Sequence, residues 1–151
     1  MPPQRVILLV DDSEDDRFLL RRSFEKAGIV NPVQEVSSGR KAIEYLKGDG
    51  KFGDRAEYPF PGIVLLDLKM PEIDGFEVLE WIRNKLELRG VLIIVLSQLD
   101  ELRQINRAYA LGANSFLMKT GDPKELDGLI RAFKEYWLLK NQAPEIRAES
   151  T

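Results

Sequence analysis

Apolar residues follow two rhythms along this chain. Short apolar runs occupy residues 6–10, 62–66, 91–96 and 115–118, a weaker one broken by Gln34 and Glu35 occupies 32–36, and in the stretches between them apolar residues recur at helical spacing. A Val/Ile/Leu run without polar alternation reads as a strand buried on both faces, and the longer period reads as an amphipathic helix. Local signals mark the helix ends. Ser13 is the expected N-cap of a first helix carrying Phe18, Leu19 and Phe24 and closed by Gly28. Ser38 caps a second, carrying Ala42, Ile43 and Leu46 and closed by Gly48. A third is expected over residues 76–86 and a fourth over 100–111, before Gly112. Asp122, followed by Pro123 and then Glu125, opens a fifth that reaches residue 139.

Strand and helix therefore alternate five times, which predicts an α/β, doubly wound fold. Right-handed crossovers lay helices over both faces of a parallel sheet. No repeat or linker interrupts the pattern, so residues 1–139 read as one domain and 140–151 as a polar, loosely ordered tail. The segment 47–61 (KGDGKFGDRAEYPFP) is long for a helix-to-strand connection and reads as an insertion.

The strand ends carry the chemistry. The first run ends at Asp11 and Asp12, the third at Asp67, the fourth at Ser97 and the fifth at Lys119. Open parallel sheets bind ligands outside the carboxyl ends of their strands, so the three carboxylates would share one crevice. A hard cation would offset their repulsion there. Each residue alone has an ordinary reading: Asp11-Asp12 as a turn, Ser97 as a turn residue, Phe116 as a core aromatic, Lys119 as a solvated charge. Asp74-Gly75 is expected to be structural, with Asp74 capping the third helix, and Trp81 and Trp137 are expected to pack helices.

The joint spacing goes further. Ser97 lies 30 residues beyond Asp67, Phe116 49 and Lys119 52. This pattern resembles the receiver domain of two-component response regulators, over residues 5–139. The resemblance implies a flavodoxin-like (βα)5 fold with strand order 2-1-3-4-5, and a phosphoryl group accepted on Asp67 from a sensor histidine kinase. It implies Mg2+ held by Asp12, Asp67 and the backbone carbonyl of Lys69, with Asp11 acting mainly through water, while Lys119 and Ser97 contact the phosphoryl oxygens. Ser97 and Phe116 would then switch the surface of the fourth helix, fifth strand and fifth helix, which meets a downstream protein target. The insertion and the ending Tyr136-Trp137-Leu138-Leu139 resemble the single-domain receivers paired with phytochrome-type sensor kinases. Three positions depart from the common pattern. Thr120 stands where Pro usually follows the Lys, so the Lys119-Thr120 bond is expected to be trans. Gln98 replaces a small residue, and Lys69 adds a cation beside the acceptor. A homodimer through the switching surface is expected, because four consecutive bulky residues cannot all face one helical core.

Composition narrows the alternatives. The 151 residues contain no His, which excludes a phosphohistidine protein, a Ser-His-Asp hydrolase and a His-ligated zinc site, so any phosphoryl donor is another molecule. There is no Cys, and 22 basic residues against 25 acidic leave a net charge of -3, with no footprint for nucleic acid. No apolar stretch is long enough for a membrane span and the opening residues lack a signal sequence, so a cytoplasmic, stand-alone module is expected. Two other classes fit the residues less well. A degenerate receiver binding partners without phosphorylation would have lost the acceptor or the Lys, and both are present. A phosphatase of the haloacid dehalogenase type would carry a second Asp where Lys69 stands, so a signalling protein rather than a turnover enzyme is expected.

Overall fold

A computed structural model describes residues 5–98 and 100–144. Its five strands, β1 (Ile7–Val10), β2 (Val33–Val36), β3 (Ile63–Leu66), β4 (Leu92–Ser97) and β5 (Ser115–Met118), form one sheet in the order β2-β1-β3-β4-β5. Every pairing is parallel. Every residue of β1, β3 and β4 is buried, which is why these strands read as unbroken apolar runs. Alternate residues point to opposite faces. Leu8, Val10, Val64, Leu66, Ile93 and Val95 build one core, and Ile7, Leu9, Ile63, Leu65, Ile94 and Leu96 build the other.

Helices α1 (Glu14–Lys26), α2 (Gly39–Lys47), α3 (Gly75–Arg83) and α4 (Leu102–Ala110) fill the four crossovers, and α5 (Pro123–Phe133) follows the last strand. The expected caps form. Ser13 Oγ accepts from the Asp16 N–H at 3.1 Å, Ser38 Oγ from Lys41 at 3.1 Å, and Asp122 Oδ1 from Lys124 at 2.9 Å. Asp74 and Glu77 make a reciprocal capping box at the start of α3.

Several boundaries differ from the expected ones. Helix α3 stops at Arg83 rather than 86, because a 3-10 turn over Leu86–Leu88 swings Leu88 into the core. Helix α4 starts at Leu102 rather than 100, and its N-cap, Glu101, makes no side-chain capping bond. After Phe133 the last helix continues as wider π turns over Lys134–Lys140, so it does run past residue 139. Around that extension Trp137 and Leu138 pack against the core while Tyr136 and Leu139 face outward, dividing the four bulky residues as adjacent helical positions must divide. The last described residues stay on the body: Ala143 packs against the same core, and Arg5 Nη2 donates to the Pro144 carbonyl at 3.3 Å. The rest of the tail, 145–151, lies outside the described residues.

The insertion folds onto α2. Phe52 is buried in a 3-10 turn (Gly50–Gly53), with its ring 5.0 Å from that of Tyr45 and 5.1 Å from that of Tyr58. Arg55 donates to the carbonyls of Tyr45 (2.8 Å) and Leu46 (3.1 Å), placing a cation on the negative end of the helix. The Tyr45 hydroxyl donates to the Pro59 carbonyl at 2.7 Å, and burial pushes its pKa up to about 12.

Candidate functional site

Backbone pairing continues past the strand ends and sets the site. The Asp67 N–H donates to the Val10 carbonyl at 3.0 Å, the Asp11 N–H to Val36 at 3.3 Å, and the Lys119 N–H to Ser97 at 2.8 Å. Side chains that follow β1, β3 and β5 therefore leave the sheet at one edge, beside the last residue of β4. Gly75 makes the arrangement possible. A Cβ there would collide with the Asp67 carbonyl oxygen and the Leu68 Cα, so only glycine lets α3 begin this close to the β3 end.

The resulting cleft, of about 370 Å3, is lined by Asp11, Asp12, Asp16, Asp67, Lys69, Ser97, Gln98 and Lys119. Asp11 and Asp67 are buried, Asp12 is exposed, and one carboxylate oxygen from each lies within 4.8 Å of the others. Lys119 Nζ sits 2.7 Å from Asp11 Oδ2, 2.7 Å from Asp16 Oδ2 and 3.7 Å from Asp67 Oδ2. The other oxygen of Asp11 accepts the Ser13 N–H at 2.9 Å, and Arg17 Nη1 donates to the Asp11 carbonyl at 2.6 Å. Glu35 on β2 holds Arg17 in turn, at 3.0 Å.

Burial raises the pKa of Asp67, and neighbouring Asp11 and Asp12 add to that. Lys119 and a backbone hydrogen bond from Lys69 act against it, and the net result is about 6. For Lys119 burial disfavours the charge, but hydrogen bonds to Asp11 and Asp16 and the field of Asp67 outweigh it, so its pKa rises. Three carboxylates facing one ammonium leave a surplus of negative charge on oxygen donors alone. That donor set fits Mg2+, a hard cation that prefers carboxylates and water.

Of the residues expected from sequence, Asp11, Asp12, Asp67, Lys69, Ser97 and Lys119 all line this one cleft. Phe116 lies apart from it. It pairs with Val95, two residues before Ser97, so Ser97 and Phe116 share a face of the sheet. Its ring is partly buried, and its N–H donates to the Tyr109 hydroxyl on α4 at 3.1 Å. No described peptide bond is cis, so Lys119-Thr120 is trans as expected. The Thr120 hydroxyl donates to Glu125 at 2.8 Å and accepts from the Asp122 N–H at 3.2 Å, tying the β5–α5 loop to the start of α5.

Sequence reasoning missed Asp16 and Arg17. Asp16 stands in the run Glu14-Asp15-Asp16, which reads as a first turn of acidic residues favoured by the helix dipole. Nothing in that run separates the residue that reaches Lys119 from its neighbours.

The family model for the response regulator receiver domain matches residues 7–131. The probable methanogenesis regulatory protein FilR2 of Methanothrix harundinacea is 34% identical over 142 residues, covering 92% of this chain and 87% of that one. The response regulator RPA3017, in red light signalling of R. palustris, superposes with a TM-score of 0.88 at 31% identity, covering 93% of this chain and 99% of its own. The phosphorylated cyanobacterial phytochrome response regulator RcpA gives a TM-score of 0.86 at 27% identity, over 94% and 99% of the two chains. With its matched sequence, its 2-1-3-4-5 sheet and the acidic pocket at which receivers bind Mg2+, this chain belongs to the response regulator receiver family of two-component signalling.

Proposed function

We propose that this protein is a response regulator that accepts a phosphoryl group on Asp67. The observation that carries the reading is the placing of a buried Asp67 at the end of β3, within 3.7 Å of Lys119 and in one carboxylate cluster with Asp11 and Asp12. In the transfer a carboxylate oxygen of Asp67 attacks phosphorus in line. An O–P bond forms and the P–N bond of a donor phosphohistidine breaks, and the imidazole leaves with the electron pair and takes a proton from solvent. Asp12, Asp67 and the backbone carbonyl of Lys69 would hold Mg2+, with Asp11 acting through water, and the ion would supply neutralising charge there. Lys119 pairs with one phosphoryl oxygen and the Ser97 hydroxyl donates to another. Lys69 and Gln98 line the same cleft and set how readily donor and water enter.

Signalling follows if Ser97 shifts toward the phosphoryl group and Phe116 turns into the space it leaves, altering the surface of α4, β5 and α5 that meets a downstream protein. Similarity to RcpA and to the R. palustris regulator supports a phytochrome-type sensor histidine kinase as donor. A cytoplasmic setting suits that partner, and no helix among the described residues is long and apolar enough to cross a membrane. The chemistry is that of a signalling protein rather than a turnover enzyme.

Mass spectrometry after incubation with phosphoramidate and Mg2+ tests the assignment. The expected result is one phosphoryl adduct, on Asp67, absent from Asp67→Asn; an adduct that persists in the variant refutes it. Transfer profiling against purified kinases, phytochrome-type ones included, then identifies the donor.

A further inference from the structure

Lys119 is held from a side that the phosphoryl-accepting set does not include. Asp16 Oδ2 lies 2.7 Å from its ammonium, as close as Asp11 Oδ2 and closer than Asp67 Oδ2. Asp16 reaches across from the first turn of α1, where the Ser13 cap fixes its backbone. Its side chain is 33% exposed and that of Lys119 9%, so the pair is shielded far more than a surface ion pair. Asp16 lines the cleft and yet stands outside the three-carboxylate cluster.

That separation has a consequence once a cation is bound. A divalent ion among Asp11, Asp12 and Asp67 draws on the charge of two of the three carboxylates around Lys119. Asp16 is the one whose charge is left undivided. An ammonium carries three N–H donors, so bonds to Asp11 and Asp16 leave a third for an oxygen on the Asp67 side.

We propose that Asp16 is a positioning residue for phosphoryl binding at Asp67, keeping the Lys119 ammonium on the phosphoryl side of the cleft when the cation has engaged Asp11. The inference rests on the reading of Asp67 as phosphoacceptor. It is tested on the full chain by titrating Mg2+ and then beryllofluoride, a phosphoryl mimic, at saturating Mg2+, in wild type, Asp16→Asn and Asp16→Glu. Loss of one shielded, charge-assisted bond should weaken beryllofluoride binding about tenfold in Asp16→Asn while Mg2+ affinity stays within about threefold. Asp16→Glu, which keeps the charge, should recover most of the loss. Unchanged or tighter beryllofluoride binding in Asp16→Asn would overturn the proposal. So would an equal fall in Mg2+ affinity, which would mark general damage to the strand ends, or a failure of Asp16→Glu to recover binding. A wild-type protein that binds no beryllofluoride would instead overturn the phosphoacceptor reading on which the proposal stands.

Discussion

Asp67, the proposed phosphoacceptor, is held at a cost to the fold. Its pKa of about 6 stands well above the ordinary value of 3.8, so between those values the folded protein binds more protons than the unfolded chain. The stabilising contribution of this group is therefore complete below pH 3.8 and is lost as pH rises through 6. In the absence of metal, Asp67→Asn should be more stable than wild type at pH 7.5, by up to about 3 kcal/mol, with the gain shrinking toward pH 4. Urea unfolding of both proteins across that range checks this, and a gain independent of pH would contradict it. Mg2+ should close the gap by stabilising wild type alone. The site itself is legible in the sequence, because Asp11, Asp12, Asp67, Ser97 and Lys119 each end an apolar run. Asp16 is not, because its partner lies more than 100 residues away across a β-strand end that only the fold brings near.

Gly75 shows how a residue outside the chemistry fixes its geometry. With the Asp67 carbonyl and Leu68 Cα where a Cβ would go, Gly75→Ala must push α3 away from the β3 end. Such backbone overpacking should cost about 1–3 kcal/mol and slow labelling of Asp67 by phosphoramidate. A variant with wild-type stability and labelling rate would show that α3 can shift freely.

Elements were legible where their signals are local. The strands, the caps at Ser13, Ser38, Asp74 and Asp122 and the αL closure at Gly48 follow from residues within one turn of each boundary. The early end of α3 does not, because it depends on Leu88 turning into a core built by distant residues, and the last residue of the helix makes a long-range clamp. Arg83, whose guanidinium has its pKa lowered by burial, donates to the carbonyls of Gly112 (2.8 Å) and Val91 (2.9 Å) and to Asn114 Oδ1 (2.8 Å). Asn114 Oδ1 also accepts the Ile93 N–H at 2.7 Å, so one side chain joins α3 to the starts of β4 and β5. Arg83→Met takes the guanidinium donors from the Gly112 and Val91 carbonyls and from Asn114 and should destabilise the protein by about 2–4 kcal/mol. Because the clamp sits at the start of the strands, opposite the Asp67 end, phosphoramidate labelling of the folded variant should keep its wild-type rate. A large loss of labelling with stability intact would mean that the two edges of the sheet communicate.

At the scale of the whole molecule, the alternation of elements supplied the fold class and the family resemblance supplied the strand order, but assembly is set by surfaces that no single pattern marks. The homodimer expected from sequence would use the face of α4, β5 and α5, where Leu102, Tyr109 and Met118 are 69, 48 and 42% exposed. Beyond it on the same last helix, Tyr136 and Leu139 are 54 and 60% exposed. These are large apolar groups in water, and burying them against a second copy is the direct relief, provided the interface reaches roughly 800 Å2 per partner. Trimming the chain after Glu135 would be a poor test, since Trp137 and Leu138 pack against the core of the monomer and their loss would damage the fold itself. Point charges at exposed positions avoid that fault. Sedimentation equilibrium at tens of micromolar should give a dimer for wild type and a monomer for Leu102→Lys and for Leu139→Lys, with unfolding free energies changed by less than about 0.5 kcal/mol when measured as monomers. A monomeric wild type, with and without beryllofluoride, would remove the dimer. A dimer disrupted by Leu139→Lys alone would move the interface from the switching face to the end of the last helix.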